Sequence, residues 1–540
     1  MLALLVGAAA WPAATRWMGG WTGEEETVAQ LKGMLNLGQI WLSEPRLTLD
    51  GGRPMLHTNR QPYCVSAFLE QEADPANVAR NLDLAKAAGI SLVRQQFPWE
   101  DIEIHGKGDF EDRRHEPYRS AWDKYDRIMD MAAERGIDII ARLDAPPDWA
   151  RANPAEHELF GPPDDLDDYG DFVAAVVSRY KGRLKYLQIW NEPNIYPEWG
   201  AQPPDPEAYT RLLEVAYRRA KAIDPDIAII SAPLAPTLDR NERAMRDLDY
   251  LQRMLDAGAA NSFDILGMIA YGLGSGPDDH RVVWHRTNFA RPQLLRDLLV
   301  RAGHGDKPAW ILEMGWSAVP EGMPAPFGRV TNEQQARYTV GAYRRIQEEY
   351  PWVGAGCLWY LRRPNAEWEQ RPEGYFRLVT PDWQPMPAYT ALAAEATRPA
   401  TIASGFRHIS HPAFHLGGAW RSEADPAALL GTWQRGDSGA TLDFTFEGRG
   451  ATLATRRGPT AGALEVSVDG GAPTSVNLRA ASDTATDIPL AENLTLAPHT
   501  VNIRVIDGDA VVEGVRVSRD HEATRSDESG AARRGGARST

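Results

Sequence analysis

"DPEAYTRLLEVAYRRAKAIDPDIAIISAP", residues 205–233, carries one full period of the pattern from which most of this chain is built. Asp205-Pro206 reads as a helix start. The aspartate can accept from the first free N–H groups, and proline suits the first helical position, where no N–H is needed. Tyr209, Leu212, Leu213 and Ala216 follow at i, i+3, i+4 and i+7, the apolar face of a helix. Then "DIAIISAP" (226–233) is a short, nearly continuous apolar run, the mark of a strand buried on both faces.

Outward from this stretch the alternation repeats. Strand-like runs occur at 62–69 ("PYCVSAFL"), 91–97 ("SLVRQQF"), 137–144 ("IDIIARLD"), 184–190 ("LKYLQIW"), 226–233, 263–271 ("FDILGMIAY"), 308–314 ("PAWILEM") and 354–361 ("GAGCLWYL"). Between them lie helix-period segments such as "DPANVARNLDLAKAAG", which reuses the Asp-Pro start at Asp74-Pro75 and sets Val78, Leu82 and Ala85 on one face. Eight alternations predict an α/β fold, a closed (β/α)8 barrel, over residues 57–397. A doubly wound open sheet is the competing arrangement. It would show a glycine-rich phosphate loop after its first strand, and "FLEQEAD" has none.

The remaining sequence divides around that barrel. Residues 1–20 hold an apolar stretch with an Ala-x-Ala-like site, a possible signal or anchor segment without the usual positive start. Residues 21–56 form a helical extension ("TVAQLKGMLNLGQIWL"), and 398–405 a linker. Over 406–519 the period changes to two, in runs such as "ATLDFTFEG" and "HTVNIRVIDG" separated by Gly-rich turns, which predicts an all-β sandwich. Residues 520–540 are polar, of low complexity, and read as disordered.

The 540 residues carry a formal charge of −16, which argues against a nucleic-acid partner, and nothing in them suggests stable membrane insertion. Export to the cell surface or beyond is the expected location. Cys64 and Cys357 fall on the first and last barrel strands, neighbours in a closed barrel. A bridge is conceivable there, but free buried thiols are the expectation. His408, His411 and His415 on the linker side are expected at the surface, and no metal-ligand spacing is present.

In a closed βα barrel the reacting groups project from the C-terminal strand ends, so the polar and aromatic residues there are the ones that matter. They are Arg94 and Trp99 after strand 2, Asp144 and Trp149 after strand 3, Asn191 and Glu192 after strand 4, Tyr271 at strand 6, Glu313 and Trp316 at strand 7, and Trp359 at strand 8. Two glutamates converging across the mouth are what glycoside hydrolysis needs. At a separation of about 5–5.5 Å one attacks the anomeric carbon while the other protonates the leaving oxygen. Arg94 can favour the anionic nucleophile, and Asn191 can hydrogen-bond a sugar 2-hydroxyl. Asp144 reads better as a loop brace, and Trp190 as packing. Eighteen tryptophans suit sugar stacking, with Trp359 the foremost platform.

With "IWNEPN" ending strand 4, "ILEMGWS" ending strand 7 and "LWYL" in strand 8, the barrel resembles the clan of retaining β-glycosidases on (β/α)8 barrels, closest to glycoside hydrolase families 39 and 5. The resemblance implies Glu192 as general acid/base and Glu313 as nucleophile. Arg94, Trp99, Asn191, Tyr271, Trp316 and Trp359 would then surround a carbohydrate substrate, with no cofactor and no metal. It departs at Ile269, where many relatives have a histidine two positions before the tyrosine. The β-sandwich is similar to accessory modules of such enzymes. Trp433, Arg456 and Arg457 would carry any sugar contact, and a purely structural cap is the other reading. Two rivals to the enzyme remain: a non-catalytic carbohydrate-binding barrel, and a metal-dependent hydrolase, which would need a His/Asp cluster at strand ends.

Overall fold

The computed structural model describes residues 13–153 and 160–519. Eight parallel strands realise the repeat: β1 (Tyr63–Ala67), β2 (Leu92–Gln96), β3 (Asp138–Leu143), β4 (Tyr186–Ile189), β5 (Ala228–Ile230), β6 (Leu266–Tyr271), β7 (Ala309–Gly315) and β8 (Val353–Leu358). They are hydrogen-bonded in the order β5-β4-β3-β2-β1-β8-β7-β6, and an Ile230–Ile265 bridge joins the two ends into a barrel. The expected helix starts hold. Asp74 accepts from the Ala76 N–H and Asp205 from the Ala208 N–H, both at 2.9 Å. Helix Pro206–Ile223 buries Tyr209, Leu212, Leu213 and Ala216 as its spacing requires.

Alternation within each strand sorts side chains to two cores. One set, including Leu92, Ile140, Ile230, Trp310 and Leu312, fills the barrel interior. The other packs outward against the helices. Strand β7 breaks the alternation: Ile311 faces Met268 but Glu313 already faces Ile269, so β7 spends two residues where β6 spends one. This bulge turns Glu313 to the same side as Leu312, into the barrel mouth.

Cys64 and Cys357 are register partners across the β1/β8 seam, and they are joined by a disulfide, which corrects the expectation of free thiols. Their side chains share the interior parity and meet directly, with Cα atoms 4.1 Å apart. The bridge closes a loop of 293 residues. On a chain-entropy argument it contributes about 2–5 kcal/mol by restricting the unfolded chain. Replacing both cysteines by serine should therefore lower the thermal midpoint of the barrel transition in calorimetry; an unchanged midpoint would remove the bridge from the stability account.

Ahead of the barrel, residues 13–22 are helical, followed by helix Thr27–Ser43. Both lie on the β6 and β7 side. The Trp21 ring is 4.9 Å from that of His280, Arg281 donates to the Thr22 carbonyl at 2.9 Å, and Glu25 pairs with Arg337 at 2.6 Å. The first 12 residues of the possible signal segment, and the tail read as disordered, lie outside the described residues. No helix among the described residues is long and apolar enough to cross a membrane.

A second compact unit begins at Pro399. It is a sandwich of two antiparallel sheets, of six and five strands. Strand Thr441–Gly448 alternates buried and half-buried residues along its whole length, and Leu442, Phe444 and Phe446 point into the shared core. His408 and His411 are buried here, against the surface expectation. His408 lies on the first strand of this unit, Gly405–His408, and its Nε2 is 2.8 Å from the Thr432 carbonyl; His415 is exposed. No cluster among the described residues could hold a metal ion. Trp433 is buried too, donating to Glu423 at 3.0 Å with the Arg456 guanidinium 5.2 Å from its ring, while Arg457 is exposed.

Candidate active site

Strand β4 stops where its backbone turns left-handed. Trp190 has φ 69° and Glu192 φ 38°, conformations that cost side-chain-bearing residues and persist only where surroundings impose them. The first turn throws Trp190 outward, where it is buried between Tyr169 and Trp199, as its packing role requires. The second aims Glu192 into the barrel mouth, held by its N–H donating to the Pro233 carbonyl at 3.0 Å. Asn194 fixes the loop: its amide accepts from Ala235 N–H at 2.8 Å and donates to the carbonyls of Ala235 and Met245 at 2.9 and 3.0 Å.

Across the mouth, Glu313 is buried with both oxygens engaged. Oε1 accepts from Arg94 Nη1 at 2.7 Å, and Oε2 from the Tyr271 hydroxyl at 2.8 Å. Each nitrogen of Arg94 makes a hydrogen bond: besides Nη1, Nε donates to Gln188 and Nη2 to Asn191, each at 2.7 Å. Gln188 is anchored in turn by donating to the Trp190 carbonyl at 2.7 Å. Burial pulls the Arg94 guanidinium below its usual value and the Glu313 charge pushes back. Rigid positioning of this kind comes from the inward parity of β2, β4 and β6 together with the β7 bulge.

Both glutamates line one cleft of about 1020 Å³, together with Asn191, Tyr271 and Trp359. Their electrostatic settings differ. Burial, reinforced by the negative charge of Glu313, raises the Glu192 carboxyl well above the ordinary carboxylate range, against the opposing pull of Arg94 and Arg142. A third carboxyl, Glu198, faces the same cleft and is pushed up to about 7 by burial, tempered chiefly by Arg142. Asn191 hydrogen-bonds Glu198 as well as Arg94, so its amide already bridges two charged neighbours. Asp144 acts as a brace: buried, it accepts from Gln96 at 2.7 Å and has Arg142 Nε at 2.6 Å.

Two expected substrate contacts are corrected. Trp99 opens a short helix that turns it away from the mouth. It is fully buried, stacked on Phe172 at 5.3 Å, and donates to Glu103 at 2.6 Å. Trp316 is equally buried, stacked on Phe289 at 5.7 Å and donating to the Ser275 carbonyl at 2.7 Å. Its indole occupies the space beside Gly272, where a Cβ would fall 2.0 Å from Nε1, so only glycine fits there. Ile269 is buried at the departure from the histidine pattern. Strand-end reading missed Gln188, Glu198, Arg142 and the cleft aromatics Phe68 and Trp368. Gln188 and Arg142 share the inward parity of Leu92 and Ile140, a signal that was available.

No protein-family model and no curated protein matches the chain. Solved structures similar to it include a family 39 glycoside hydrolase from Bacteroides cellulosilyticus WH2, at 18% identity and TM-score 0.48 over 85% of this chain and 82% of that one. A glucosidase from Croceicoccus marinus is similar at 15% identity and TM-score 0.48, over 85% and 99%. Xylanase 10B from Thermotoga maritima is similar at 17% identity and TM-score 0.43, over 62% and 95%.

Proposed function

We propose that the chain is a retaining β-glycoside hydrolase acting on an oligo- or polysaccharide or a simpler glycoside. The observation that carries this reading is the asymmetry of one carboxylate pair in one cleft. Glu313 is held as an acceptor by a guanidinium and a phenol, while burial favours a proton on Glu192. That division suits a nucleophile and an acid.

In the first step a Glu313 oxygen bonds to the anomeric carbon as the glycosidic C–O bond breaks, and Glu192 gives its proton to the departing oxygen. In the second, Glu192, now a carboxylate, takes a proton from water, whose oxygen displaces Glu313 from the anomeric carbon. Arg94 and Tyr271 hold the nucleophile in place, and Trp359, which lines the cleft, would stack against a sugar ring. The Cys64–Cys357 bridge supports an oxidising compartment outside the cytosol.

The test is a panel of β- and α-linked aryl glycosides, with the first-formed product anomer followed by proton NMR. Release of the β-anomer from β-glycosides is expected. The α-anomer appearing first would replace the mechanism with an inverting one, and glycan binding without turnover would make the barrel a lectin-like binder.

A further inference from the structure

Beyond the catalytic pair, the cleft contains a cation without a hydrogen-bond or ion-pair partner among the described residues. Arg363 follows β8 in "LWYLRRPNAEW" and is 92% buried, being 8% exposed. Its guanidinium lies between two aromatic rings, 3.5 Å from the Phe68 centroid and 3.6 Å from that of Trp368. Both rings and Arg363 line the cleft that holds Glu192 and Glu313. Among the described residues Arg363 makes no hydrogen bond and no ion pair, and its buried Nε is without an acceptor.

Other buried arginines of the chain show the contrast. Arg362 binds Glu72 and the Pro381 carbonyl, the latter at 2.7 Å from Nη2. Arg94 has three acceptors, Arg291 pairs with Asp247, and Arg296 donates to the carbonyls of Leu49, Gly305 and Lys307. Burying a cationic donor without an acceptor is costly, so a site that keeps one has a use for it. Stacking on two faces leaves only approach within the guanidinium plane, and the Nη atoms are not among its closed-off atoms. A planar fork of donors open at one edge is the shape that takes an oxyanion in two parallel hydrogen bonds. Burial lowers this guanidinium to about 10, which leaves it charged at neutral pH.

We propose that Arg363 receives an anionic substituent of the bound sugar, a carboxylate or a sulfate ester, so that the substrates are acidic glycosides. The inference rests on the glycosidase reading above and narrows its substrate class. Uronides and sulfated glycosides are the two sources of such a group.

The experiment compares kcat/KM for 4-nitrophenyl β-glucuronide, β-glucoside, β-galacturonide and β-galactoside, and for the 6-sulfates of the glucoside and galactoside, with wild type, Arg363→Gln and Arg363→Lys. The wild type should prefer one acidic series over its neutral partner by about tenfold to a hundredfold, a charge-assisted pair's worth. Arg363→Gln should collapse that ratio, and Arg363→Lys, which keeps the charge but not the fork, should restore part of it. The arm that responds names the anion. Neutral substrates cleaved as well as acidic ones, or a ratio untouched by Arg363→Gln, overturns the inference and leaves the glycosidase standing. If nothing is cleaved, the glycosidase reading fails, and calorimetry on the same proteins decides. Glucuronic acid or glucose 6-sulfate binding where glucose does not, lost in Arg363→Gln, sustains the anion site; equal or absent binding of all three ends it.

Discussion

Glu313→Gln is expected to lower kcat on aryl β-glycosides by on the order of 10⁴-fold or more, as removal of a covalent nucleophile does. The substitution is nearly isosteric, and an amide oxygen can still accept from Arg94, whose other donors stay on Gln188 and Asn191. What disappears is the charge that bonds to the anomeric carbon. The variant should therefore remain folded, with some stability lost along with the buried ion pair, and should show neither turnover nor a burst of released phenol. Circular dichroism and pre-steady-state absorbance check both halves. Activity within tenfold of wild type would take Glu313 out of the covalent role.

Glu192→Ala should produce a loss that depends on the leaving group. Glycosides with poor leaving groups need the proton and should slow by about 10²–10⁴-fold, the usual worth of positioned acid catalysis. Dinitrophenyl glycosides leave without protonation, so their first step should change little and the glycosyl-enzyme should accumulate. The pH profile carries the same information. Burial and the Glu313 charge raise the Glu192 carboxyl, so the wild type keeps its acid protonated to a higher pH than an ordinary carboxylate would. Its kcat/KM should fall as pH rises through that raised value, because a deprotonated Glu192 cannot give the first proton. In Glu192→Ala this alkaline fall should vanish. If it persists and disappears in Glu198→Gln instead, Glu198, set near 7, is the acid.

The barrel was legible because its evidence is periodic: Asp-Pro starts at 74–75 and 205–206, and eight doubly buried strands, all fall where spacing places them. Glu192 and Glu313 were legible for a different reason, as acids ending apolar strands. What failed lay just past the strands. Trp99 and Trp316 sit where strand parity no longer governs direction, one entering a helix and the other a loop, and both turn into the core. Glu198 comes six residues after Glu192, at the start of a short strand, Glu198–Ala201, and no spacing rule points it at the cleft. Arg363 looks in sequence like the second half of an ordinary surface "RR" pair; only the rings at Phe68 and Trp368, far away along the chain, reveal its burial. The disulfide was missed because strand adjacency left both outcomes open, and the register that decides between them is tertiary.

The irregular step in β7 has a wider meaning. Which way Glu313 faces depends on how many residues precede it on that strand, whatever their identity. The heading of this carboxyl is thus guarded by arithmetic: a conservative swap at Leu312 disturbs packing, whereas a one-residue deletion there would reverse that heading and, on the proposed function, abolish turnover while sparing the architecture. Tolerance to exchange and intolerance to change of length, side by side on seven residues, is how selection on such a strand would read.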